Sequence, residues 1–158
     1  MDRVCIRPAV VSDVPRLGEL AAALVRFHHE IDPSRFLPDE GVADGYGKWL
    51  GREADNPDAV VLVAEVDGRI MGYAYGRYEG RNWNELIDAH GKLHDVLVDG
   101  PARRLGAANA LVDEVCNRLR TRGARRVILS TAVTNLPAQS LFEALGFRPT
   151  MIEMTRNL

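Results

Sequence analysis

Cysteine is scarce in this chain. The two among its 158 residues, Cys5 and Cys116, stand far apart inside apolar patterns. That excludes a disulfide framework and suits small buried thiols in a reducing compartment. An excess of either charge is also missing, since 20 Lys and Arg face 22 Asp and Glu. No broad basic surface for nucleic acid or a membrane is encoded. No apolar run approaches the ~20 residues that cross a bilayer. The opening "MDRVCIRPAVV" lacks the basic region and long apolar run of a secretory leader, so the expected location is cytoplasmic. Repeats and low-complexity tracts are absent, and the length fits one domain, 1 to 158, around a single core.

What is present is a strong hairpin signal. "AVVLVAEVDGRIMGYAYGRYE" holds two β-rich runs, 59 to 66 and 69 to 79, joined by Asp67-Gly68, a dipeptide that supplies the positive φ angles of a tight turn. Ahead of it, "RVCIRPA" reads as a short strand ended by Pro8. "SDVPRLGELAAALVRFHH" reads as a helix with Ser12 as N-cap and with Leu17, Leu20, Ala21, Leu24 and Phe27 on one face. A second helix over about 39 to 54 aligns Val42, Tyr46, Trp49 and Leu50, although Gly41, Gly45 and Gly47 weaken its helical preference.

After the hairpin, "GRNWNELIDAHG" has turn residues without a period and reads as a long surface loop. "KLHDVLV" is a further strand. Then Ala108, Leu111, Val112, Val115 and Leu119 form the apolar face of a helix that ends near Gly123. "RRVILSTAV" reads as a strand suited to burial on both faces. "NLPAQSLFEALGF" reads as a short helix stopped by Gly146, and "FRPTMIEMT" as a last strand. Strand, helix, strand implies a parallel crossover. With the antiparallel meander before it, this argues for a mixed sheet carrying helices on both faces.

"GPARRLGAANALVDEV", residues 100 to 115, leads from a loop into the third helix. A helix that starts directly after a strand exposes its first N–H groups and the positive end of its dipole, a natural anion site. Gly106, Ala107 and Ala108 keep side chains small there, and Arg103 and Arg104 add positive charge. Cations at a helix N-terminus oppose the dipole, so the arginines need an anion or a structural reason. No Gly-Lys-Ser/Thr follows, and the glycine spacing of dinucleotide folds is missing.

The segment "HDVLVDGPARRLGAANALVDEV" resembles the acetyl-CoA-binding region of the GNAT acetyltransferase superfamily. That family's loop reads Q/R-x-x-G-x-G/A after a strand ending in Val, and Arg103, Gly106 and Ala108 match it five residues beyond Val98. "NLPAQSLFEALGF" resembles a second signature of the family at Asn135, Phe142, Leu145, Gly146 and Phe147, the last three also readable as a helix stop and a core aromatic. The resemblance implies a GNAT-like α/β (mixed α+β) fold: a mostly antiparallel mixed sheet of six to seven strands with a splayed parallel pair, flanked by about four helices. Acetyl-CoA is the implied co-substrate and no metal is implied. The backbone of Val96, Leu97 and Val98 would accompany the pantetheine arm. Arg103, Arg104, Leu105, Gly106, Ala107, Ala108 and Asn109 would hold the pyrophosphate, while Asn135, Ser140 and Phe142 would line the arm and its sulfur.

The implied activity is transfer of an acetyl group to a primary amine of a small molecule, peptide or protein, directly within a ternary complex. That chemistry needs a neutral amine, a polarised carbonyl and a proton for the thiolate. A backbone N–H near Leu97 or Val98 is the oxyanion candidate. Phe142 stands where the family often has Tyr and cannot donate a proton, so that role falls to water or another group. Tyr73, Tyr75 and Tyr78 are either substitutes or packing residues.

His94 and Asp95 are the candidate catalytic residues, expected on opposite faces of their strand by alternation. His94 is the first candidate for the base, the other reading being a strand histidine satisfied by local hydrogen bonds. Glu85, Asp88 and His90 are further candidates on the preceding loop. His28, Glu30, Asp32 and Phe36, in "FHHEIDPSRF", are the expected acceptor-site residues, with Trp49 and Trp83 as apolar walls. His28 and His29 also complement the end of the first helix. The other reading of the whole chain is a non-catalytic acyl-CoA-binding or sensor domain. The resemblance further implies a homodimer.

Overall fold

The structure, a computed structural model, describes residues 3–158. In chain order it runs β1 (Val4–Pro8), a 3₁₀ turn (Val11–Asp13), α1 (Val14–Ile31), α2 (Val42–Ala54), β2 (Ala59–Val66), β3 (Arg69–Glu79), β4 (His90–Val98), a second 3₁₀ turn (Gly100–Leu105), α3 (Ala107–Thr121), β5 (Val127–Leu129) and α4 (Leu136–Ala144). The sheet order is β1-β2-β3-β4-β5. The first four strands pair antiparallel and β4 pairs parallel with β5.

Both sheet faces are covered, which is why β2 reads as a continuous apolar run. Val60, Leu62 and Ala64 join Leu111, Val112, Val115 and Leu119 of α3 on one side. Ala59, Val61 and Val63 join Leu17, Leu20, Ala21 and Leu50 of α1 and α2 on the other. The predicted hairpin at Asp67-Gly68 forms with positive φ at both positions.

α1 and α2 pack unusually close because two glycines face each other. A Cβ on Gly18 would lie 2.0 Å from the Ala43 carbonyl oxygen, and one on Gly47 would lie 2.9 Å from Gly18 Cα. Gly47, a mark against a helix in the linear sequence, is a packing requirement in the folded one.

Several expectations need correction. The sheet has five strands, not six to seven: residues 147–155 form no strand and 148–158 are exposed. β5 is shorter than expected and only half-buried, because no strand covers its outer edge. Cys5 is exposed, since it lies on edge strand β1, and Cys116 is half-buried. Asp13, not Ser12, organises the entry to α1. Its carboxylate accepts from the Val10 N–H at 2.8 Å and from both Arg7 terminal nitrogens at 2.7 and 3.0 Å. No helix is long and apolar enough to cross a membrane among the described residues.

Candidate active site

The site begins with an unequal pairing of β4. Its whole length runs against β3, but it meets β5 only at Gly91, Lys92 and Leu93. Among the described residues no strand pairs with the remaining edge from His94 to Val98, roughly 16 Å at ~3.3 Å per residue. The Asp99 N–H donates to Met71 O at 2.7 Å, which sets the phase of the strand. Alternate residues of an antiparallel strand point the same way. The N–H and C=O of Leu97 are therefore turned to β3, and those of Val96 and Val98 to the open edge.

At the end of that edge the chain turns into α3. Gly106, in the left-handed region at φ 76°, caps the helix without a side chain. The first helical bond runs from Ala110 N–H to Gly106 O, so the N–H groups of Ala107, Ala108 and Asn109 have no partner inside the helix. No acidic residue occupies the first turn. Arg103 Nε donates to the Val98 carbonyl at 3.0 Å, a structural reason for one arginine at a helix start. Arg104, Leu105 and Asn109 are exposed, while Ala107 is fully buried against the core. α1 is tied to the same corner, because Arg16 donates to Ile70 O and pairs with Asp99 at 3.1 Å.

The catalytic candidates gather next to the open edge. The β3–β4 register slips so that Tyr75 faces Asp95 and Gly76 faces Leu93, leaving His94 as an extra residue. This bulge resets the alternation. Leu93 joins the core under α3. The His94 ring stacks on Tyr75, 5.1 Å between centroids, and the Asp95 carboxylate accepts from Tyr46 at 2.7 Å and Tyr73 at 2.9 Å. Both side chains thus lie on the α1/α2 face, which corrects the expectation of opposite faces. Tyr78 packs on the other side, against the α3 core.

Carboxylates and imidazoles alternate along this face. Glu79 Oε1 is 3.0 Å from His94 Nε2, and Glu79 Oε2 is 3.8 Å from Nε2 of His90. His90 belongs to β4 rather than to the loop. It is fully buried, holds the Asp88 carbonyl through Nδ1 at 2.8 Å, and leaves Nε2 without a bond. Burial pushes the Asp95 carboxyl above its ordinary value, and donation by Tyr46 and Tyr73 only partly offsets it. Burial likewise raises the Tyr46 and Tyr73 hydroxyls, reinforced by the Asp95 charge. Burial also pushes the Glu53 carboxyl up, but donation by Tyr75, Asn56 and Arg77 outweighs it and holds it below the usual range. Trp49 stacks with Tyr46 and meets Tyr75 edge-on, completing an aromatic wall.

The other candidates are more dispersed. His28 Nδ1 bonds Leu24 O at 2.9 Å and its ring packs on Phe36. Asp32 accepts from Ser34 within its own turn, and Glu30 is exposed. Glu85 and Asp88 are exposed on the 80–89 loop, where Asp88 pairs with Arg81, and Trp83 stands 75% exposed. Asn135 caps α4 by accepting from Ala138 N–H at 3.3 Å. Ser140 is exposed, and Phe142 packs edge-on against Phe147 at 5.8 Å. No cluster of three or more His, Cys, Asp or Glu suited to a metal exists among the described residues. Glu79, Tyr46 and Glu53 were not legible as site residues; only the apolar periodicity of α2 pointed to Tyr46.

An open strand edge that leads to an uncapped helix start, with tyrosines, an imidazole and carboxylates alongside, is the architecture of an acyl-carrier-dependent transferase. The chain belongs to the Acetyltransferase (GNAT) family, whose sequence profile matches residues 22–147. It is 32% identical over 100 residues, 60% of each chain, to an N-alpha-acetyltransferase of Sulfurisphaera tokodaii. It is 36% identical over 98 residues to a glucosamine 6-phosphate N-acetyltransferase of Trypanosoma brucei brucei, covering 62% of this chain and 64% of that one. Thus it spans less than two thirds of the length of these relatives. In fold it is similar to the BH1408 protein of Bacillus halodurans (TM-score 0.83, 17% identity, 98% and 99% covered). The aminoglycoside N-acetyltransferase AAC(6')-Iy solved with CoA is also similar (TM-score 0.75, 19% identity, 100% and 96% covered).

Proposed function

We propose that this protein is an acetyl-CoA-dependent N-acetyltransferase that transfers the acetyl group directly to a primary amine in a ternary complex. The observation that carries the reading is the five-residue open edge of β4, which runs from the His94 bulge to the uncapped start of α3. The edge groups of Val96 and Val98 suit an extended amide-bearing arm, and the free amides of Ala107, Ala108 and Asn109 with Arg104 suit its phosphates. Family membership and the relatives named N-alpha-acetyltransferase and glucosamine 6-phosphate N-acetyltransferase support amine acetylation as the class.

The thioester supplies an activated acyl carbon; the chain supplies the rest. His94 Nε2 donates to Glu79, leaving Nδ1 as the free lone pair that takes the proton of the incoming ammonium. Glu79 then faces the imidazolium it helps to stabilise. The Val96 N–H, on the open edge, polarises the carbonyl oxygen. Phe142 offers no proton, so the departing thiolate is protonated from water. The carboxylates of Glu79 and Asp95 and the Tyr46, Trp49 and Tyr75 wall favour a cationic acceptor with an apolar portion.

Phe142, packed against Phe147, is the observation that favours the second reading, a non-catalytic acyl-CoA-binding domain. Release of free thiol from acetyl-CoA, measured across panels of small amines and peptide N-termini, separates the two. Acceptor-dependent release is expected. Acetyl-CoA binding with no release for any acceptor class would leave the sensor reading in its place.

A further inference from the structure

Residues 127–158 are covered far less than the rest of the chain. β5 has no fully buried residue, nor does α4, and every residue from 148 to 158 is exposed. Met151, Ile152 and Met154 stand 88%, 84% and 90% exposed, and Val133 and Leu136 beside them 85% and 63%. Large apolar side chains left in water at such density mark an interaction surface.

Two unsatisfied features coincide there. The first is the outer edge of β5, the last strand in the sheet order. Its Val127-Ile128-Leu129 run carries no charge, proline or bulge of the kind that blunts an exposed edge. The second is the segment "RPTMIEMT", 148 to 155, strand-like in sequence yet without a backbone hydrogen bond in the folded chain. The segment is drawn away from its own β5, because Glu153 pairs with Arg35 on the α1–α2 loop. Its own edge and its own strand therefore do not meet.

We infer that residues 148–155 add as a strand to the β5 edge of a second copy of this chain, in a reciprocal two-fold exchange. The second copy is the occupant because one symmetric contact satisfies both features at once: each chain offers the edge that the other's segment needs. The alternating pattern then turns Ile152 and Met154 to one face of the extended sheet and Met151 to the other. The half-buried face of α4 and β5 gains the cover that the single chain lacks. This inference stands independently of the proposed enzymatic activity.

The test is the mass of the full-length protein by sedimentation across a wide dilution series, combined with amide hydrogen exchange of residues 127–129 and 148–155. A dimer is expected, with both segments protected in proportion to dimer content. Ile152→Asp with Met154→Asp should weaken the dimer by at least about tenfold in dissociation constant while the far-ultraviolet spectrum is retained. As a second variant, Arg35→Ala should leave the dimer intact, because the exchanged strand and not this surface ion pair holds it. A protein monomeric at every concentration overturns the inference, whether its 148–155 amides exchange freely or are protected by its own β5. A dimer indifferent to the Ile152 and Met154 substitutions overturns it as well.

Discussion

The hydroxyl of Tyr46 lies 2.7 Å from Oδ2 of Asp95, a single bond that joins α2 to the bulged strand at the centre of the site. Its donor matters because burial raises the Asp95 carboxyl. The native state then binds the Asp95 proton more tightly than the unfolded chain does, so stability declines as pH climbs from the ordinary aspartate value of 3.8 through the raised native one. Loss of the Tyr46 donor raises it further. Tyr46→Phe is expected to cost about 1–2 kcal/mol near pH ~7 and less near pH ~3.5, where the carboxyl is protonated in both states. Urea titrations at the two pH values check this, and equal deficits would refute it.

His94 and Glu79 are expected to affect rate rather than cofactor affinity. Removal of a general base costs about 10²–10⁴ in turnover, so His94→Gln should lower kcat within that range and leave the acetyl-CoA dissociation constant unchanged. Glu79→Gln should lower kcat less. It should also convert His94 from one ring tautomer to a mixture in ¹⁵N spectra, since the Glu79 carboxylate is what selects the Nε2 proton. An unchanged tautomer would remove Glu79 from this role.

Gly106 is expected to matter through its backbone angle and not through lack of space. A Cβ there meets nothing within 4 Å, but φ is +76°. Gly106→Val should distort the start of α3 and weaken CoA binding, measured calorimetrically, by roughly tenfold, the equivalent of the about 1–2 kcal/mol left-handed penalty. Gly106→Asn tolerates that region and should bind within a few-fold of the parent. Equal weakening by both would favour close backbone approach as the cause.

Two alanine substitutions in α1 and α2 should act in opposite directions. Gly18→Ala places a Cβ 2.0 Å from the Ala43 carbonyl and should destabilise by about 1–3 kcal/mol or more, through forced separation of the helices. Gly45→Ala meets nothing within 4 Å and should stabilise by about 0.5–1 kcal/mol through helix preference. Denaturant midpoints report both. Because Tyr46 and Trp49 ride on α2, Gly18→Ala should also disturb the aromatic wall, visible as a change in tryptophan fluorescence.

The sequence by itself determined the features that depend on nearby residues. The Asp67-Gly68 hairpin and the bounds of β2 and β3 follow from turn chemistry and β-rich patterning. The α3 face follows from helical spacing, and the strand-to-helix turn at Gly106 from its small residues. The tertiary structure alone decided the features that depend on residues far apart in the chain. It decided that the His94 bulge puts His94 and Asp95 on one face, because a bulge exists only relative to the register of β3. It decided that Tyr46, Tyr73 and Glu79 surround them, because those contacts span 15 to 49 residues. It also decided that "FRPTMIEMT" forms no strand within the single chain: strand propensity needs a partner edge, and Arg35 holds Glu153 away from β5.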